Sequence, residues 1–272
     1  MSIESYGSYL TEDSAIKLRI EADNIKEHDP LEQKTWWYSF NRPPQNIIEE
    51  FIFKSSRQHN TFESYIGAEW WIRTHKNKSS AWPFHIDADL GRHRKKEGYI
   101  SAPFCSVTYL SDYSQPTVLI DRYHDWTIPT NDGCYITGDN MWTMWSAPKM
   151  GKHISWSLPY FHGVVRDYGD FPEGETRVTL MYNCWKGEKP YAPECIEYNL
   201  PYKISEGTVD ILPIKDKLEF LIPHGFTTIV LEGEELALQY HGFNQKGKSW
   251  MVTQEAPVGV DTTPRFPMQE HQ

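Results

Sequence analysis

Hydrophobic positions along this chain follow two different spacings, and the change falls near residue 68. Before it, helical character dominates. Residues 11–28, TEDSAIKLRIEADNIKEH, are rich in helix formers and carry acidic residues early, which predicts a first helix. A short aromatic strand, KTWWYSF, follows. In NRPPQNIIEEFIFKSSRQH the prolines suit a helix opening, and Ile47, Ile48, Phe51 and Ile52 form one apolar stripe. That stripe predicts a helix lying on a sheet.

From residue 68 the chain breaks into short β-like segments: AEWWIR, AWPFHID, FCSVTYL, PTVLIDR, GCYITGD, KHISWSL, YFHGVV and TRVTLMYNCW. Turn material separates them, including SDYSQP, NDG, SAPKMGK and DYGDFPEGE. Such a succession predicts a sandwich or barrel. After residue 187 a Pro-rich link, GEKPYAPE, leads to TVDILPI, LEFLI, TTIVLE, ELALQYHGF and SWMVTQE, which either extend the main sheets or form a small lobe. The tail TTPRFPMQEHQ reads as frayed. The expected organisation is a support region at 1–67, a β core at 68–186 and a β-rich extension at 187–272.

Composition narrows the function classes. Of 272 residues, 39% are hydrophobic and 14% aromatic, enough bulk for a sizeable core. No apolar run approaches the ~20 residues of a spanning helix, and MSIESYGSYLTEDSAIKLRIEADN lacks the basic end and apolar stretch of a secretory leader. The expectation is a cytoplasmic protein with no membrane partner. Cys105, Cys134, Cys184 and Cys195 form no Cys-x-x-Cys, so reduced thiols are expected rather than a zinc ribbon or disulfide framework. A net charge of -10 disfavours nucleic acid. The basic run GRHRKK, 91–96, is either a solvated loop or a feature that steers an anionic substrate.

Candidate chemistry begins at WPFHIDAD, 82–89. In an extended strand His85 and Asp87, two apart, project from the same face. An imidazole nitrogen beside a carboxylate oxygen supplies two ligands of a 2-His-1-carboxylate iron site. The same pair also fits a surface contact at a strand end. A third ligand would come from a later strand. His162 is the candidate, in an apolar stretch and followed by Gly163, which permits close approach. His153 and His124 sit beside turn residues and rank below it.

Arg177 opens the strand TRVTLMYNCW, where alternation puts Arg177, Thr179, Met181 and Asn183 on one face. An inward guanidinium needs an anionic partner, and its planar fork matches a carboxylate. That partner is either an internal Asp or Glu or a bound acid.

Together these residues resemble the iron(II)/2-oxoglutarate-dependent dioxygenases, a family built on a double-stranded β-helix, or jelly roll. The family pattern is His-x-Asp/Glu, a distal His, then an Arg or Lys one strand on. His85, Asp87, His162 and Arg177 occur in that order. Arg177-Val178-Thr179 is similar to the Arg-x-Ser/Thr pair that some members use for the distal carboxylate of 2-oxoglutarate. PTVLIDR resembles the Gly-Pro-Thr strand between the two halves of the motif, with Gln115 replacing Gly. The resemblance spans about residues 68–186.

It implies a mainly β jelly roll, cupin-like, with N-terminal helices packed on the major sheet. It further implies His85, Asp87 and His162 as the catalytic iron ligands, Arg177 and Thr179 as the 2-oxoglutarate anchor, and O2 as oxidant, with succinate and CO2 released. Retention of Asp87 favours hydroxylation or desaturation over halogenation. HIDAD also resembles the His-x-Asp-x-Asp stretch of AlkB-type demethylases, but TRVTLMYNCWK lacks their second Arg. The expected substrate is therefore a small molecule, amino acid or peptide. Residues 138–152, GDNMWTMWSAPKMGK, suit either a lid or ordinary core, and Arg73 and Arg166 are further candidates for an acidic group. Two other classes compete: a non-catalytic cupin-like binding module, and a zinc-dependent hydrolase using the same triad. The sequence carries no reading of oligomeric state.

Overall fold

The computed structural model describes residues 3–28, 35–59, 62–76, 82–89, 91–92, 95, 100–112, 115–124, 135–136, 141–157, 159–164, 172–191, 195–197, 205–212, 225–231, 234–240 and 249–254. In chain order its elements are β1 (Ile3–Tyr6), α1 (Glu12–His28), β2 (Thr35–Ser39), α2 (Ile47–Gln58), β3 (Gly67–His75), β4 (Trp82–His85), β5 (Phe104–Tyr109) and β6 (Thr117–His124). They continue with β7 (Tyr135–Ile136), β8 (Met141–Ser146), β9 (His153–Trp156), β10 (Tyr160–Val164), β11 (Arg177–Trp185), β12 (Cys195–Glu197), β13 (Gly225–Leu231), β14 (Glu234–Tyr240) and β15 (Ser249–Gln254).

The fold is mainly β. One sheet runs β1-β9-β5-β11-β3-β2-β12, and a second runs β15-β8-β6-β10-β4, with β7 on β6. β3 pairs with β11, β4 with β10, β5 with β9 and β6 with β8, all antiparallel. From β3 to β11, first therefore pairs with last, and so on inwards. The sheets meet through Val107, Tyr109, Ile154 and Trp156 of one and Leu119 and Tyr160 of the other.

Strict alternation along β11 separates two environments. Val178, Leu180, Tyr182 and Cys184 face outward into the core shared with the helices, while Met181 and Trp185 turn inward. The α2 stripe of Ile47, Ile48, Phe51 and Ile52 is buried in that outer core beside Trp36 and Trp70. Each such side chain contributes about 1.5–3 kcal/mol, so the helix is held by its face.

The start of α2 is set by Asn46, whose Oδ1 accepts the Glu49 N–H at 2.9 Å. Pro43 and Pro44 lie upstream of this cap rather than in the first turn. Buried Glu49 takes both arms of Arg42 at 2.6 Å and the Gln45 N–H at 2.9 Å, fixing the approach to the helix.

Three strands depart from the expectations. β1 adds to the major sheet beside β9, β12 joins its far edge, and β8, Met141–Ser146, occupies the middle of the stretch read as lid or core. β8 hides from a period-two search because MWTMW offers no polar alternation. LEFLI, the tail and the side chains of residues 141–145 lie outside the described residues. Among the described residues no helix is long and apolar enough to cross a membrane.

Candidate metal centre and its inner wall

β4 ends at His85, and Asp87 follows in the connection to β5. That connection is pinned because the Ala102 N–H donates to Asp87 O and the Asp89 N–H to Ile100 O, both at 2.8 Å. Asp89 plays a structural part: its carboxylate accepts the N–H groups of Arg92 at 3.0 Å and Tyr191 at 2.7 Å. Across the β4–β10 ladder His162 stands opposite His85. One ligand atom from each of His85, Asp87 and His162 lies within 4.8 Å of the others.

The donor atoms converge. His85 Nε2 is 3.3 Å from one Asp87 oxygen and His162 Nε2 is 3.5 Å from the other. His162 Nδ1 lies 3.1 Å from Tyr160 O, an orientation that turns Nε2 toward Asp87 as the ligand atom. Burial alone would raise the Asp87 carboxyl, but His162 and then His85 outweigh it and hold it well below the usual carboxylate range. An ionised carboxylate and an imidazole lone pair are the forms a cation takes.

Around the triad, Trp156 lies 4.9 Å from the His162 ring and closes one side. Cys105 is buried on the same inner face, and burial, then the charge of Asp87, pushes its thiol well up. It stays a neutral thiol beside the carboxylate.

Arg177 is buried and points inward. Its Nε donates to Gln115 O at 3.1 Å and its Nη2 to Thr117 Oγ1 at 2.9 Å, with its guanidinium 5.5 Å from the centre of the Tyr109 ring. Among the described residues no carboxylate pairs with Arg177. Burial pulls its pKa down, opposed by Tyr109. The internal ion pair that would explain Arg177 as structural is therefore not found among these residues. Thr117 lies two residues along β6 from Leu119, the partner of His162. The guanidinium's contact with Thr117 is thus roughly 7 Å along the strand from the triad's level.

Other candidates fall elsewhere. Thr179 is buried opposite Tyr109 and Arg73, its hydroxyl donating to Arg73 O at 3.4 Å. His153 faces outward, stacked on Tyr9 with centroids 4.4 Å apart and its Nδ1 2.8 Å from Thr108 Oγ1. Burial, with a contribution from His59, pushes its pKa well below the ordinary value, so it is neutral and remote in role from the triad. Arg92 of the basic run pairs with Asp89 and Glu188, and Lys95 lies over the Tyr191 ring. Arg166 and the side chain of His124 lie outside the described residues.

Reading the sequence alone missed Tyr109, Thr117 as the partner of Arg177, Trp156 and Glu69. Thr117 carried a signal, the PTVLIDR segment; the others are ordinary strand residues until pairing places them. Glu69 is inward on β3 and accepts the Thr35 hydroxyl at 2.8 Å. Burial pushes its carboxyl up to about 7, against the Thr35 bond, and the charges of Asp87 and Asp89 add to the rise.

Comparison with known proteins gives likeness of fold only. No protein-family model and no curated protein matches the chain. Among solved structures it is similar to a Pseudomonas putida prolyl-4-hydroxylase, at 13% identity and TM-score 0.43 over 68% of this chain and 88% of that one. It is also similar to the non-heme alpha-ketoglutarate-dependent epimerase SnoN from nogalamycin biosynthesis, at 12% identity and TM-score 0.45, covering 79% and 91% of the two chains. A third is HygX from Streptomyces hygroscopicus with nickel and 2-oxoglutarate bound, at 12% identity and TM-score 0.37, covering 68% and 82%. At these scores the functional reading stands on the chain's own residues.

Proposed function

We propose that the protein is an iron(II)/2-oxoglutarate-dependent oxygenase that hydroxylates or desaturates a small molecule, amino acid or peptide. The observation that carries this reading is the pairing of a His-Asp-His cluster with a buried guanidinium that has no carboxylate partner among the described residues. The donor set fits iron(II): two imidazole nitrogens and one carboxylate oxygen bind it and leave positions free. When bound, iron(II) with 2-oxoglutarate and O2 supplies an oxidant as the cosubstrate becomes succinate and CO2.

The chain's own residues have distinct tasks. His85, Asp87 and His162 hold the metal. Arg177, oriented by Gln115 and Thr117, holds the far carboxylate of the diacid, with Thr179 on the same wall. A buried cation demands such a partner. Trp156 against His162 excludes water from that side of the ligands, which directs oxidation to the substrate. Residues 1–67 serve as support, 68–186 as the catalytic core and 187–272 as a β-rich extension joined to both, β12 pairing with β2 of the first and β15 with β8 of the second.

Zinc accepts the same donors, but a zinc hydrolase leaves Arg177 without a role. Conversion of 2-oxoglutarate to succinate by purified protein supplied with iron(II) and air tests the proposal. Succinate that depends on iron and falls in Arg177→Met at low 2-oxoglutarate supports it. Hydrolysis in zinc without 2-oxoglutarate would replace it, and absence of succinate under all conditions favours a binding module.

A further inference from the structure

The inner wall carries a second uncompensated group, of opposite sign. Cross-strand pairing places Trp156, Cys105, Asn183, Glu69 and Trp37 in one row over five adjacent strands. All five face inward: Trp37, Cys105 and Trp156 belong to the inner core, and Asn183 and Glu69 share their face by alternation. The row begins at the triad, since Trp156 packs on His162 and Cys105 feels the Asp87 charge.

Two members of the row are acceptors in need of a donor. Asn183 Oδ1 is buried without a hydrogen-bond partner among the described residues, on a side chain 3% exposed. Glu69 next to it receives the neutral Thr35 hydroxyl, and among the described residues no Lys, Arg or His pairs with it. A buried carbonyl oxygen and a buried carboxylate side by side are each costly unless a donor serves them, and a cationic donor serves both. Trp37 beside Glu69 already has the Lys189 ammonium 5.9 Å from its ring centre, so this part of the wall accepts a cation, and the Trp185 indole is a second neutral donor toward Glu69.

We propose that Glu69 and Asn183 form the subsite for a basic nitrogen, an ammonium or guanidinium, of the substrate. The proposal rests on the oxygenase reading only for what happens to that substrate. Glu69 lies two strand spacings, roughly 10 Å, from Cys105 beside the triad. The nitrogen therefore sits several bonds away from the carbon that is oxidised, and anchors rather than reacts. Arg177 and Glu69 then divide the wall between an acidic cosubstrate and a basic substrate, which also prevents either from taking the other's place.

Calorimetric titration of the full-length protein with hexylamine, agmatine and L-lysine, beside their uncharged counterparts hexanol and L-norleucine, tests this directly. The charged probes should bind at least about tenfold more tightly. That preference should vanish in Glu69→Gln and shrink in Asn183→Leu, with thermal melting confirming that each variant is folded. If Glu69→Gln fails to fold, Asn183→Leu and Thr35→Val decide. Equal binding of neutral and charged probes, no saturable binding of any probe, or a preference that survives the folded variants overturns the subsite. Succinate release in the same samples separates the two readings: an amine preference without succinate refutes the oxygenase and leaves the subsite, and succinate without the preference does the reverse.

Discussion

His162 stands opposite His85 across the β4–β10 ladder, with ring centroids 4.4 Å apart. Two side chains distant in sequence are thus fixed by backbone hydrogen bonds of one sheet, and Asp87, just past the end of β4, bridges them. Two of the three ligands sit on strands, and the third is on a connection pinned by the Ala102 N–H bond to Asp87 O. His162→Ala or His85→Ala should weaken Fe(II) or Mn(II) binding by more than about 100-fold, since loss of an outer-shell partner alone costs about 10- to 100-fold. Metal titration followed by calorimetry checks this, and a variant that binds as wild type does would remove the cluster from the site.

Arg177 should govern cosubstrate affinity. Charge-assisted hydrogen bonds contribute about 1.5–3 kcal/mol, so Arg177→Met is expected to raise the KM for 2-oxoglutarate by about 10- to 100-fold with a smaller change in kcat. Thr117→Val, which removes the hydroxyl that accepts from Nη2, should raise it by about tenfold or less. Steady-state succinate formation against 2-oxoglutarate concentration measures both.

Glu69 should make stability fall as pH rises. Its folded carboxyl titrates at about 7 against 4.5 for the free group, so the folded state binds the proton more tightly. The stability this confers is full below about 4.5 and is lost as pH rises through 7, by about 3 kcal/mol. Glu69→Gln in metal-free protein should therefore gain on wild type across that interval, as read by denaturant unfolding at a series of pH values. A constant difference would mean that Glu69 titrates normally.

His153 predicts the opposite slope. Its folded pKa is depressed by burial, so its contribution is present above the ordinary value of 6.5 and is lost as pH falls below it. His153→Phe keeps the stack on Tyr9 and should flatten the acid side of the stability profile. Unfolding measured from neutral to mildly acidic pH would show this.

Gly67 fixes the packing of β3 on β2. A Cβ there would lie 2.4 Å from Trp37 Cζ2 and 2.5 Å from Tyr38 O, and the second of these is backbone. Gly67→Ala should destabilise by about 1–3 kcal/mol, the usual cost of overpacking, visible as a lower melting temperature.

Much of this was legible in the sequence, for physical reasons that differ by residue. His85 and Asp87 show because two ligand types stand two apart in sequence, although β4 ends at His85 and Asp87 reaches the site from the connection beyond it, and α2 shows because Ile47, Ile48, Phe51 and Ile52 repeat at helical spacing. Arg177 shows because a charge at the head of an alternating strand demands a partner. The row of Trp156, Cys105, Asn183 and Glu69 does not show, since each lies on a different strand and only register joins them. β8 stayed hidden because its MWTMW core has bulky residues on both faces, and β12 because three residues carry too little pattern.

The most direct measurement of the central claim is anaerobic titration of the purified protein with Fe(II) and then 2-oxoglutarate, followed by visible absorption. A weak charge-transfer band that needs both additions and disappears in His162→Ala is the predicted result. A protein that shows no such band, or shows it unchanged in His162→Ala, contradicts the assignment of residues 85, 87 and 162 to a single iron.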